Sequence, residues 1–143
     1  MNSKVAIITG ASSGIGEATA KLLAARGVTV APAARRLDQL KRIADVIKAA
    51  GGQVSVHQVD VIQQGQVEQL VADVVKQRGR LDVMINNAGL MAIAPLSLRK
   101  TEEWDRMIDI NIKGPSLRRR SGTTRLPEPA IRPLCEYRFG CWH

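Results

Sequence analysis

The sequence concentrates its chemistry in the segment Thr9-Gly10-Ala11-Ser12-Ser13-Gly14-Ile15-Gly16. An apolar run, Val5–Ile8, leads into it, and an amphipathic stretch from Ile15 to Ala25 follows, so it reads as a loop joining a strand to a helix. Glycines let a backbone turn tightly and approach a phosphate closely, while the helix N-terminus offers unpaired N–H groups and a positive dipole end. Any tight turn can use glycines, but in a strand–loop–helix setting this loop suits the pyrophosphate of a dinucleotide. A second strand ends at Ala34-Arg35-Arg36, with no carboxylate before Asp38. An acid there would bind the ribose 2′-hydroxyl of NAD, whereas an arginine accommodates the 2′-phosphate of NADP. NADP is therefore favoured over NAD, with Arg35 the first choice for the phosphate and Arg36 the second. The alternative is that both arginines only begin a solvated helix.

The T-G-x-x-x-G-x-G spacing of Thr9–Gly16 differs from the G-x-G-x-x-G of other dinucleotide sites and resembles that of the short-chain dehydrogenase/reductase family. Three further segments match in the family's order: Asp60-Val61 after a third strand, Asn86-Asn87-Ala88-Gly89 after a fourth, and Asn111-Ile112-Lys113-Gly114 in a later helix. The resemblance spans residues 1–114 and implies that Asp60 binds the adenine ring and that Asn87 and its neighbours lie beside the cofactor. Cofactor contacts are expected at Thr9, Gly10, Ser12, Ser13, Gly14, Ile15, Gly16, Arg35 and Arg36. Asp60, Val61, Asn87, Ala88 and Gly89 complete the set. Asn111 matches the Asn of the family's catalytic tetrad and is the only catalytic position carried over. The family moves hydride between nicotinamide and a carbonyl or alcohol carbon of a small-molecule substrate, and its intact members are expected to be homo-oligomers. Its proton donor is the Tyr of Tyr-x-x-x-Lys, helped by an upstream Ser. The only tyrosine here is Tyr137, position 141 is Cys, and nothing after Gly114 matches that motif.

The elements needed to position these residues follow from apolar periodicity. Strands are expected at Val5–Ile8, Val28–Ala33, Val54–Val59 and Leu81–Ile85. Helices are expected at Ile15–Ala25, Leu37–Ala50, Gln66–Gln77 and Thr101–Ile112. The first helix would bury Ile15, Ala18, Leu22 and Ala25, and the last would begin on Thr101 as N-cap with Trp104, Ile108 and Ile112 along one face. The order βαβαβαβα predicts an α/β fold, the N-terminal portion of a Rossmann-type, doubly wound parallel sheet, followed by an irregular tail. Pro32 breaks a local rule, because it removes a donor from what should be an interior strand.

With 143 residues the chain has room for one domain and is short for a complete doubly wound dehydrogenase. No stretch approaches a membrane span, the N-terminus lacks a signal-peptide pattern, and a cytoplasmic location is the expectation. The net charge of +8 is unevenly distributed. Residues 1–114 hold 15 Lys/Arg and 11 Asp/Glu; the last 29 hold six Arg, two Glu, both cysteines and four of the six prolines. Cys135, Cys141 and His143 match no ligand framework, so no metal site is expected.

The composition break suggests that residues 115–143 are an out-of-frame tail behind a dinucleotide-binding portion at 1–114. Back-translated and read one base later, Arg132–His143 can encode G-H-F-V-N-I-A-S-V-A-G, close to the family's next strand. Compatible codons extend back to Ser116, and the family's catalytic Ser would be encoded across Phe139 and Gly140. The other shift gives Arg or a stop at Cys135/Glu136. A truncated oxidoreductase, itself inactive, is thus the leading expectation, and the alternative is a nucleotide-binding fragment without catalysis. A nucleic-acid role for Arg118-Arg119-Arg120 is disfavoured because no binding motif surrounds them. Loss of the later strands would expose a sheet edge and lower solubility.

Overall fold

The computed structural model describes residues 4–91, 101–113 and 135–138. Its centre is a five-stranded parallel sheet built from β1 (Val5–Thr9), β2 (Thr29–Ala34), β3 (His57–Gln58), β4 (Val83–Asn86) and β5 (Cys135–Arg138). The strand order is β3-β2-β1-β4-β5. Helices α1 (Gly14–Ala25), α2 (Leu37–Ala49) and α3 (Gln64–Arg78) make the crossovers, and α4 (Thr101–Ile108) precedes a π-helical turn at Asp109–Lys113. The sheet reverses direction of growth between β1 and β4, and a crevice forms there beyond the carboxyl ends of the strands, as expected for a doubly wound sheet.

Each strand sends alternate residues to opposite faces. Ala6, Ile8, Val30, Ala34 and Ile85 join α1 and α2 in one core; Val5, Ile7, Ala31, Ala33 and Met84 join α3 in the other. Leu40, Ile43, Ala44 and Ile47 supply the buried face of α2, and Val67, Leu70, Val71 and Val74 that of α3. Both faces of β1 are covered, which is why it reads as a continuous apolar run. At the opposite end from the crevice, Asp82 accepts the Val5 N–H at 2.8 Å and is gripped by the Arg80 guanidinium, tying the starts of β1 and β4 together.

Four expectations need correction. The buried face of α1 is Gly16, Ala20 and Ala24, while Ile15 and Leu22 are 60% and 53% exposed. The helix lies so close to the sheet that only small residues fit beneath it, so the bulky residues that dominate the periodicity lie outside. Second, β3 is two residues long instead of six. Val30 and Ala34 direct their backbone groups toward β3, with Val30 N–H donating to the Gln53 carbonyl at 3.0 Å and the Ala34 carbonyl accepting from Val59 at 3.0 Å. Pro32 shares their parity, so its missing N–H falls on the β3 side, opposite Ser55. The ladder survives only as a bridge at Val54 and a pair at His57–Gln58. Third, Thr101 is the first residue of α4 and not its N-cap, and that helix ends at Ile108, giving way to the π-helical turn. Fourth, the tail is not wholly irregular, since Cys135–Arg138 pairs with Val83–Asn86 and covers the outer edge of β4. Arg118-Arg119-Arg120, Cys141 and His143 lie outside the described residues.

Candidate functional site

Above the reversal point lies a cavity of about 410 Å³. Its floor comes from the loop after β1, where Gly10, Ser12, Ser13 and Ile15 line it. Arg35 and Arg36 close one side from the end of β2, and Asp60 and Val61 come from the segment after β3. Asn87, Ala88 and Gly89 form the far wall after β4. Eleven of the fifteen residues singled out from the sequence thus meet around one cavity. The remaining four, Thr9, Gly14, Gly16 and Asn111, do not line it, but each is a chain neighbour of a residue that does.

Thr9 is fully buried; its hydroxyl donates to the Ile85 carbonyl at 3.3 Å and accepts the Ala88 N–H at 3.2 Å. The Asn87 side-chain amide donates to the carbonyls of Thr9 and Gly10, at 3.1 and 3.2 Å. These bonds fasten the loop after β4 onto the loop after β1. Their closeness dictates the glycines. A Cβ on Gly10 would stand 2.7 Å from the Ala88 Cα, and one on Gly16 would stand 2.5 Å from the Asn87 amide nitrogen and 2.6 Å from the Gly10 carbonyl oxygen. Gly14 has open space around it but a φ of +59°, which L side chains rarely adopt.

Ser13 occupies the N-cap position of α1, yet its hydroxyl makes no capping bond. The hydroxyl instead accepts from Arg36 Nη2 at 2.8 Å, and Ser12 Oγ accepts from Arg36 Nε and Nη2 at 3.3 and 3.0 Å. Arg36, the second choice on sequence, is thereby the arginine bonded to the loop. Arg35 also lines the cavity, and its backbone carbonyl accepts from Gln58 at 3.1 Å. Asp60 is held by a local turn: its N–H donates to Gln66 Oε1 at 2.8 Å, and its carboxylate accepts the Ile62 N–H at 3.2 Å.

Asn111 sits in the π-helical turn and spends its side chain on one partner. Its Oδ1 accepts the Leu90 N–H at 2.9 Å, and its Nδ2 donates to the Leu90 carbonyl at 2.7 Å. These two hydrogen bonds hold the Gly89–Leu90 strip against the helix. Sequence reasoning missed Leu90, Ile110, Ala34 and Val59 as lining residues. Each flanks a residue it did find, and an apolar neighbour carries no chemical signal of its own. Among the described residues no group of three or more His, Cys, Asp and Glu is placed to hold a metal ion, and no helix is long and apolar enough to cross a membrane.

A nicotinamide dinucleotide fits these features. The glycine cradle brings backbone to the cavity wall, the start of α1 has N–H groups without a capping side chain, and a guanidinium stands at the rim. A family model described as short chain dehydrogenase matches residues 4–126. An uncharacterized oxidoreductase of Listeria innocua is 47% identical over 114 residues, which are 80% of this chain and 46% of that protein. A 3-oxoacyl-[acyl-carrier-protein] reductase of Thermotoga maritima is 38% identical with the same coverage. Among solved structures, a metagenomic short-chain oxidoreductase in complex with NADP superposes with a TM-score of 0.78 at 38% identity, covering 84% of this chain and 55% of that one. The chain spans about half the length of the curated relatives it matches. On its loop, its sheet and these matches together, the chain belongs to the short-chain dehydrogenase family.

Proposed function

We propose that this chain is the cofactor-binding portion of an NADP-preferring short-chain oxidoreductase acting on a small-molecule carbonyl or alcohol. The observation that carries the reading is the Arg36 guanidinium fixed at the rim of the glycine-loop cavity. When bound, the nicotinamide would supply or accept a hydride. The glycine loop and the start of α1 would hold the pyrophosphate, Arg36 and Arg35 the 2′-phosphate, and Asp60 and Val61 the adenine end. Asn87, Ala88 and Gly89 would border the nicotinamide half. Asn111 acts as a positioning residue through Leu90. The relative solved with NADP supports this choice of cofactor over NAD.

Residues 1–143 contain neither the Tyr-x-x-x-Lys pair nor its companion Ser, so the chain by itself binds cofactor without turning substrate over. Residues 115–143 are proposed to be read out of frame from a codon near Pro115. The curated relatives match over 114 residues, in keeping with a break there, although the family model runs on to residue 126. The setting proposed is cytoplasmic, without nucleic-acid or membrane partners, and the intact protein would be a homo-oligomer. Titrating the purified chain with NADPH, following its fluorescence, should show saturable binding that NADP competes away more effectively than NAD. Carbonyl reduction should stay at the buffer rate. Absence of saturable binding would reject the cofactor assignment; turnover would reject the division of labour. One genomic read across the codons for Gly114–Ser116 tests the frame.

A further inference from the structure

We infer that the outer edge of β5 is an interface at which two copies of this chain pair, antiparallel, about a two-fold axis through position 137. The inference is independent of the cofactor reading. Among the described residues β5 has a strand on one side only, β4, and stands last in the sheet. Such an edge presents unpaired N–H and C=O groups, a template for another strand. Strand parity fixes which residues present them. In a parallel pair, one residue of each in-register couple bonds across and the other turns its backbone groups away. The Thr29 N–H donates to the Lys4 carbonyl at 2.9 Å, so Lys4, Ala6 and Ile8 face β2. Val83, in register with Ala6, therefore faces β1, and Met84 faces β5. Glu136, in register with Met84, directs its backbone N–H and C=O to the outer edge, as does Arg138 two positions on. Cys135 and Tyr137 direct theirs to β4.

A closed two-fold pair brings the same edge of both copies together, running in opposite directions. Its hydrogen-bonded couples must match outward-facing residues with outward-facing residues, which restricts the register to one centred on 136, 137 or 138. Centred on 136, Glu136 lies opposite the partner's Glu136; centred on 138, Arg138 lies opposite the partner's Arg138. Like charges directly opposite destabilise a strand pair. Centred on 137, Glu136 lies opposite the partner's Arg138, and the symmetry repeats the couple. Both couples are then hydrogen-bonded ones, giving about four main-chain bonds across the axis. The charge order Glu-Tyr-Arg is thus self-complementary in one register and repulsive in the other two. The shifted frame, Val-Asn-Ile-Ala, carries no charge at these positions, so the selection belongs to the chain as it stands.

The test is sedimentation velocity of the whole chain over a concentration series, for wild type, E136R, R138E and the double variant E136R/R138E. Substitutions are used because deleting the strand would uncover β4. Wild type should form a dimer that dissociates on dilution and weakens with added salt. Each single reversal sets like charges opposite one another in both couples and should weaken the dimer about tenfold. The double variant exchanges the two charges and should restore wild-type association. An equal mixture of E136R and R138E should form a heterodimer tighter than either variant with itself. A monomeric wild type, a dimer indifferent to the single reversals, or a double variant no tighter than the singles would overturn the inference.

Discussion

At Gly14 and Gly16 the same residue type is required for two different reasons, and substitution separates them. Gly16→Ala drives a methyl into the Asn87 amide and the Gly10 backbone; overpacking of this kind costs about 2–3 kcal/mol. Gly14→Ala meets no neighbour and only strains a left-handed φ, about 1 kcal/mol. Denaturant titration should rank the two in that order, and an equal loss would mean that the Asn87 contact carries no weight. Asn111→Ala deletes both bonds to Leu90, and it should cost about 1–2 kcal/mol and weaken NADP binding with it. His57 sets a pH dependence. Burial pushes its imidazole below the ordinary 6.5, while Asp73 opposes this and Arg78 adds to it. The native state thus binds a proton less readily than the unfolded chain does. Stability is full above about pH 6.5 and falls as the pH is lowered through that value toward the depressed native pKa. A Tm profile from pH 7.5 to 5 should slope downward on the acid side, and His57→Asn should flatten it.

The short β3 invites a direct repair. Pro32→Val returns an N–H to the side of β2 that faces Ser55 and nearly preserves the buried volume. It should lengthen the β3 pairing and stabilise the fold by about 1 kcal/mol. Hydrogen exchange would show a protected amide at position 32; an unprotected one would place the interruption elsewhere. Pro32 also shows how far the elements could be read in advance. Its rule-breaking position was visible in the sequence, but which neighbour lost the bond depends on strand parity, which only pairing fixes. Likewise α2 and α3 bury the apolar faces their spacing announces, because bulky residues fill the gap between helix and sheet. Helix α1 defeats that logic: its contact face is glycine and alanine, and small residues leave no trace in a hydrophobic pattern. The site was legible to a greater depth. The glycine loop, Asp60 and Asn87 each follow a strand end, and a doubly wound sheet brings all its strand ends to one side. The preference for Arg36 over Arg35 was not legible, since it rests on two serine hydroxyls more than twenty positions earlier in the chain.

For the molecule as a whole, the sheet is closed on the β4 side by a strand of unusual make-up. Cys-Glu-Tyr-Arg, last in the strand order β3-β2-β1-β4-β5, pairs with Val-Met-Ile-Asn; strands of a parallel sheet covered on both faces are ordinarily apolar runs. The shifted frame offers Val-Asn-Ile-Ala at the same four codons, a better strand for that slot. The pairing of Cys135–Arg138 still covers β4, so deleting residues 115–143 should uncover that edge and increase self-association. Light scattering of the shortened chain against the full one measures this, and unchanged solubility would show that the pairing contributes nothing to solution behaviour.

The amide of Asn87 clasps two carbonyls 77 and 78 positions behind it in the chain. Parallel sheets of this order fold slowly, because a long segment must be reeled in before distant contacts repay its lost freedom. On the ribosome, the glycine loop emerges early but remains without its far wall until β4 and Asn87 have cleared the exit tunnel. The dinucleotide proposed above would therefore have no complete site to recognise until that stretch has emerged. After that point it favours chains whose two loops have met, so the cofactor would act as a late selector among folding intermediates.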